Sequence, residues 1–348
     1  MEVREAYFGT TASGEKISQF ILDNNLQTRI KILNFGAIVQ SIETVDKFGK
    51  LADIVLGYDT LKAYESDPFY FGAVVGRVAN RIGNAQYVDG PFMVKLDKNE
   101  GKHHLHGGHQ ALNKAIWKAK PFTKNNSVGV ELTYRSADGE NGYPGNVDFK
   151  VRYILNNANQ FMIYFFAETD KRTPVNLSSH IYYNLASEKS ANVLDHIVMI
   201  NSIKYLDTNA ERIPTGKYNY AMGSPLNFSR GKTIGIDIEK IEGGFDHTFV
   251  INKEIGRLLV TSRVIEPQSG RILDIVTDQP TLQFFTANGF NGNLTGKNGL
   301  TYEQYAGFCM ETQAFPDAPN HANFPSIFLN PGEKYSSHTQ ISFQLKQD

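Results

Sequence analysis

The sequence predicts an all-β fold, mainly antiparallel, and three observations carry that reading. Apolar residues recur mostly at every second position, the alternating runs meet at turn-forming clusters, and capped helical periodicity is nearly absent. Val147, Phe149, Val151, Tyr153 and Leu155 alternate with polar or charged neighbours. Asn156-Asn157-Ala158-Asn159-Gln160 then reads as a turn, and Phe161, Ile163 and Phe165 alternate again, which is a hairpin pattern. Leu258, Val260 and Val264 lead into Glu266-Pro267-Gln268-Ser269-Gly270, and Leu273, Ile275 and Val276 resume beyond it as a second hairpin. Ile341, Phe343 and Leu345 form a closing strand, while residues 60–65 have room for one helical turn at most. No Pro-, Gly- or Ser-rich linker divides the chain and no short repeat is present. Residues 1–348 are therefore expected to form a single domain of stacked sheets.

Composition narrows the function. The 348 residues are 41% hydrophobic and include 35 Lys and Arg against 36 Asp and Glu, a formal net charge of −1. Such a chain can bury a large core. Its charge balance offers no basic face for nucleic acid and no polybasic membrane patch, so the expected partner is neutral. Cys309 is the only cysteine, which excludes a disulfide framework and a zinc ribbon. The start, Met1-Glu2-Val3-Arg4-Glu5-Ala6, has no apolar stretch for a signal peptide, and no segment approaches membrane-spanning length. A cytoplasmic protein is the expectation.

Several loops and strands carry chemistry. Glu311 follows Phe308-Cys309-Met310 and precedes a polar stretch stopped by Pro316, as if a strand end delivered a carboxylate into a pocket. Apolar flanks should desolvate it and raise its basicity. Gly76-Arg77-Val78-Ala79-Asn80-Arg81-Ile82 sets two arginines around an Asn, and His103-His104-Leu105-His106-Gly107-Gly108 clusters three histidines before a glycine pair. His180, Tyr182 and Asn184 alternate, so one strand would point all three the same way. Asp246 ends a glycine turn beside Phe245, and Gln283 interrupts an apolar strand. Asn, Gln, Asp, Arg and His with aromatic walls suit a sugar, which needs donors and acceptors for hydroxyls and rings for its apolar face. His104 and His106 would share a strand face, but no Asp, Glu or Cys follows closely enough to complete a metal site, and none is expected.

These motifs, in this order and over nearly the whole chain, resemble the aldose 1-epimerase family, also called galactose mutarotases. The matching segments are Gly-Arg-Val-Ala-Asn-Arg-Ile at 76–82, Leu-His-Gly-Gly at 105–108, His-Ile-Tyr-Tyr-Asn-Leu at 180–185, Phe-Asp-His at 245–247 and Glu-Thr-Gln…Pro-Asp-Ala at 311–318. The resemblance implies a β-supersandwich and an isomerase that interconverts the α and β anomers of free aldohexoses such as galactose and glucose, without metal or cofactor. It implies Glu311 as the base at O1 and His180 as the acid at O5. Asn80, Arg81, His106, Asp246 and Gln283 are implied as substrate-binding residues, with Arg77 and His247 structural. The sequence by itself does not choose His106 over His103 or His104. A monomer or weak homodimer is the expected assembly.

The chain departs from the family pattern at Ser178-Ser179, where Thr-Asn is common, at Asp278, where Thr is usual, and at Pro319, where an aliphatic residue is usual. None of these removes an implied catalytic group. Two other classes remain open at this point. One is a catalytically silent sugar-binding protein. The other is a glycoside hydrolase or lyase, which would want two carboxylates spanning a glycosidic bond, and Glu311 with Asp246 is the one tempting pair. A hexose-6-phosphate epimerase would need extra cations at the C6 end, and no dedicated phosphate loop is seen.

Overall fold

The computed structural model describes residues 1–187 and 189–346. The chain opens with an antiparallel meander of five strands in spatial order: β1 (Glu2–Thr10), β2 (Lys16–Asp23), β3 (Thr28–Leu33), β4 (Val39–Val45) and β5 (Leu51–Asp53). One short α-helix follows, α1 (Leu61–Glu65), started by Thr60, whose side chain accepts from the Ala63 N–H as an N-cap.

From residue 118 the chain moves between two larger sheets. Its next strands are β6 (Lys118–Lys124), β7 (Ser127–Ser136), β8 (Val147–Asn156), β9 (Gln160–Thr169) and β10 (Tyr182–Tyr183). Then come β11 (Ile197–Ile200), β12 (Lys204–Thr208), β13 (Pro214–Tyr220), β14 (Lys232–Thr233) and β15 (Asp246–Val250). The last are β16 (Leu259–Ile265), β17 (Arg271–Thr277), β18 (Thr281–Phe285), β19 (Phe308–Gln313) and β20 (Tyr335–Leu345). A nine-stranded sheet runs β6-β7-β8-β9-β20-β17-β16-β11-β14, and a six-stranded sheet runs β10-β19-β18-β15-β12-β13.

Both hairpins read from the sequence are present, β8–β9 and β16–β17, and the closing strand β20 lies between them, paired to β9 on one side and β17 on the other. The reason is the two-residue period. Val147, Phe149, Val151, Tyr153 and Leu155 are all buried, while their neighbours along β8 are not. Across the ladder Phe149 faces Ala167, Val151 faces Phe165 and Leu155 faces Phe161. The six-stranded sheet turns Phe249, Leu282, Phe284, Phe308 and Met310 into the same core as Val151, Phe165, Ile275 and Ile341. The two sheets thus stack face to face, as in a sandwich. The opposite face of the six-stranded sheet is left to the site.

Ile341 sits at the join of the two hairpins, opposite Phe161 and Ile275, and is 2% exposed. Ile341→Val removes one methylene group there and should lower unfolding stability by about 1 kcal/mol with no change in the slope of a urea titration. An unchanged midpoint would show that β20 does not pin the two hairpins together.

Among the described residues, no helix is long and apolar enough to cross a membrane.

Candidate active site

Strand register builds the floor of the site. Thr248 lies opposite Gln283, and Gln283 opposite Glu311. Two residues along, Asp246 lies opposite Phe285, Phe285 opposite Cys309, and Cys309 opposite Tyr182. Residues directly opposed, or two apart on one strand, share a face. One face of β15, β18 and β19 therefore carries Asp246, Thr248, Gln283, Phe285, Cys309 and Glu311 together. Glu311 is not at a strand end, as its sequence setting suggested, but inside β19. Phe308 and Met310 point the other way into the core, so only Cys309 of its apolar flank shares its side.

Three loops lie over this floor. His180 does not belong to one strand with Tyr182 and Asn184; it falls in a break between the short strand Ser178–Ser179, paired to Val74–Val75, and β10, paired to β19. The chain changes sheets at that break, and the alternation that would align the three residues stops there. His180 is held by its backbone, whose N–H donates to Ala73 and whose carbonyl accepts from Gly72. Tyr182 packs on the His180 ring, while Asn184 is turned inward to brace the carbonyls of Ser190 and Ala306.

The histidine cluster resolves by the same geometry. His104 uses both ring nitrogens internally, on the Asp97 carbonyl at 2.7 Å and the Tyr143 hydroxyl at 2.8 Å. His103 accepts from the Asn84 N–H. His106 does not share a strand face with His104, because it leaves the short strand His104–Leu105 with φ +51°. Its ring stands 5.3 Å from that of His180, edge on. Asn80, at φ +64°, exchanges backbone contacts with it: the His106 N–H donates to the Asn80 carbonyl, and the Asn80 N–H donates to His106 Nδ1 at 3.1 Å. A backbone N–H can only donate, so Nδ1 holds a lone pair and the neutral ring carries its proton on Nε2. Burial, with His180 and Arg81 nearby, holds the His106 pKa well below the ordinary range. His106 is thus a fixed neutral donor.

Glu311 and His180 stand side by side on this floor. His180 Nε2 and Glu311 Oε1 are 3.6 Å apart, beyond hydrogen-bond length, and both side chains are almost fully buried. Burial, reinforced by Asp246 and opposed by Arg81, pushes the Glu311 carboxyl up to about 8. Burial likewise pushes His180 down to about 4, against the pull of its own carbonyl and Asp246. Between those values the pair holds one proton, and the neutral arrangement with the proton on Glu311 is favoured. Glu311 Oε2 is buried without a partner.

The remaining polar groups are organised among themselves. Gln283 Nε2 donates to Asp246 Oδ1 at 2.5 Å, and its carbonyl accepts from Asn80 Nδ2 at 3.3 Å and from the Thr248 hydroxyl. Arg81 is clamped in a fork by Glu100, with Nε 2.6 Å and Nη2 2.7 Å from the two carboxylate oxygens. Arg77 lies away from the site, on Ser136, Ala137 and Pro144. His247 accepts from the Asp246 N–H, and Asp317 caps the Gly83 N–H. Sequence reasoning missed Thr248, Phe285, Tyr70, Glu100 and Arg212. Thr248 and Phe285 follow from alternation with Asp246 and Gln283. Tyr70, whose ring is 4.7 Å from His106 and 5.9 Å from His180, left no such signal.

Could the cluster hold a metal? His106, His180 and Glu311 present ligand-type atoms within 4.8 Å of one another. But His106 already uses its Nδ1 lone pair on Asn80 and keeps the proton on its other nitrogen, so a neutral ring has no further pair to give. The donor set does not fit a resident cation. It fits proton transfer beside a hydroxyl-binding floor.

A family model described as aldose 1-epimerase matches residues 18–342. The chain is 37% identical over 347 residues to the galactose mutarotase of Bos taurus, with 99% of each chain covered. It is 30% identical over 337 residues to the aldose 1-epimerase of Escherichia coli strain K12, covering 95% of this chain and 96% of that one. Among solved structures, a galactose 1-epimerase from Lactobacillus acidophilus superposes with a TM-score of 0.88 at 25% identity, covering 99% of both chains.

Proposed function

The chain belongs to the aldose 1-epimerase family and interconverts the α and β anomers of aldoses, and from that premise we propose that Glu311 and His180 are its base and acid. The substrates are free aldohexoses, galactose and glucose among them. Glu311 takes the proton of the O1 hydroxyl while His180 gives one to the ring oxygen O5, and the C1–O5 bond opens to the aldehyde. Rotation about C1–C2 presents the other carbonyl face. O5 then attacks C1, His180 recovers its proton from O5, and Glu311 returns one to O1. Nothing is oxidised or reduced, and the pair ends as it began.

The observation that carries this reading is the pair itself: two buried groups 3.6 Å apart on one side of a polar floor. The reactive arrangement has the proton on His180 and is the minority form of the one-proton state. Its members are correspondingly stronger, a carboxylate with the basicity of a group titrating near 8 and an imidazolium with the acidity of one near 4. Asn80, Arg81, His106, Asp246 and Gln283 bind the sugar hydroxyls around it. Residues 1–348 act as one catalytic domain, and the proposed setting is a cytoplasmic monomer or weak homodimer.

Polarimetry tests the activity: freshly dissolved α-D-galactose or α-D-glucose should reach its equilibrium rotation faster with the protein than without, and an unaltered rate would reject it. The pH profile tests the pair. Below about 4 both groups are protonated and no base is available; above about 8 both are deprotonated and no acid is available. kcat/KM should therefore form a plateau between those limits. A profile flat through both would show that another pair moves the protons.

A further inference from the structure

Asp246 is approached by a residue from outside the motifs. β12 runs antiparallel to β15, with Lys204 opposite Val250 and Tyr205 opposite Phe249. That direction carries the end of β12 towards Asp246, so the turn joining β12 to β13 stands at the mouth of the site. Asn209 shapes the turn: its side-chain oxygen accepts from the N–H groups of Glu211 and Ile213, and its carbonyl accepts from Arg212. Arg212 occupies the tip at φ +61°, and its Nη1 donates to Asp246 Oδ2. The guanidinium lies over the glycine turn before Asp246, where a Cβ on Gly243 would come within 3.6 Å of Nη2. Glu211 reaches the other way, 2.9 Å from Lys102 Nζ and 3.5 Å from His103 Nε2, on the loop that ends at His106. Two adjacent residues thus tie the turn to both sides of the mouth.

The Arg212 ion pair is poorly suited to a stabilising role. The Arg212 side chain is 48% exposed and that of Asp246 13%. A pair so open to water contributes little to stability. It is well suited to a hydroxyl, which both donates and accepts. Asp246 is acceptor only, its other oxygen already taken by Gln283. A guanidinium carries five donors, and one engages Asp246. We propose that Arg212 is a specificity-determining residue of the site: it and Asp246 together grip one sugar hydroxyl, Asp246 accepting from it and Arg212 donating to it. The proposal deepens the aldose 1-epimerase reading and rests on Asp246 facing the sugar.

The test compares Arg212→Met with the unaltered enzyme on galactose, glucose and their monodeoxy analogues, by polarimetry for kcat and KM and by calorimetry for sugar affinity. With Arg212→Met, KM should rise about 10-fold on the parent hexoses while kcat changes less than about 2-fold. On one monodeoxy analogue, the one lacking the gripped hydroxyl, the variant and the unaltered enzyme should have the same KM; on the others the difference should persist. Arg212→Lys, which keeps the charge without the fork, should recover part of the loss. An unchanged KM on every sugar would overturn the proposal, as would an equal rise on every analogue, which would mean that the effect of Arg212 is tied to no single hydroxyl. Calorimetry separates the two levels: a sugar-affinity loss confined to the same hydroxyl supports the Arg212 contact even if the unaltered enzyme accelerates no mutarotation, a result that would reject the parent reading instead.

Discussion

Replacing Glu311 with Gln should lower kcat for mutarotation by about 10²–10⁴-fold and, in the same protein, raise its stability at alkaline pH. The first effect follows from shape retained and basicity lost. The amide fills the same place on β19 opposite Gln283, so the floor and KM should change little. The second follows from linkage. The folded Glu311 titrates near 8, above the ordinary carboxylate value of 4.5. Below pH 4.5 the folded and unfolded chains both hold the proton, and burial of the group costs no ionisation energy. As pH rises towards 8 the unfolded chain ionises freely while the folded one retains its proton, so stability falls across that window. An amide has no proton to lose. The advantage of the variant should grow from nothing near pH 4.5 to about a few kcal/mol at pH 8. Denaturant titrations at pH 5 and pH 8 read it directly. A variant that loses activity but shows no stability gain at pH 8 would mean that Glu311 is ionised at rest and that Arg81 outweighs burial.

Much of the architecture was legible because it depends on a period of two. Val147 to Leu155 and Phe161 to Phe165 bury one face each, and nothing in their tertiary setting competes with that pattern. The structure brings Asn80, Arg81, His106, His180, Asp246, Gln283 and Glu311 together, but their geometry was less legible. Alternation placed Gln283 correctly on a strand, but it also put His180, Tyr182 and Asn184 on one face, which fails where the chain changes sheets. It paired His104 with His106, which fails because His106 adopts a left-handed backbone. Backbone breaks of this kind leave no mark in hydrophobic spacing. Arg212 was invisible for a different reason. It lies 34 residues before Asp246, and only the register of β12 on β15 brings the two together. Contacts set by register across a sheet cannot be read from local sequence.

Replacing His180 with Ala should cost a similar factor of about 10²–10⁴ in kcat, and its pH behaviour should mirror that of the Glu311 variant. A buried neutral imidazole titrating near 4 makes the fold vulnerable to acid. Above the ordinary histidine value of 6.5 both folded and unfolded rings are neutral. As pH falls towards 4 the unfolded ring takes a proton that the folded one refuses, and stability is lost across that window. His104 and His196, also buried and also held near 4, add to the same acid sensitivity. His180→Ala removes one of these contributions and should shift acid unfolding to lower pH, even though the lost packing against Tyr70 and Tyr182 lowers stability near neutrality. The remaining Glu311 has no acid to work with. Added imidazole can enter through the sugar opening, occupy the space left by the ring and supply a proton to O5, so kcat should recover in part and in proportion to imidazole concentration. Full activity in the unrescued variant would remove His180 from the reaction. A loss of activity with acid unfolding unchanged would mean that the folded ring titrates near the ordinary 6.5 and that burial does not depress it.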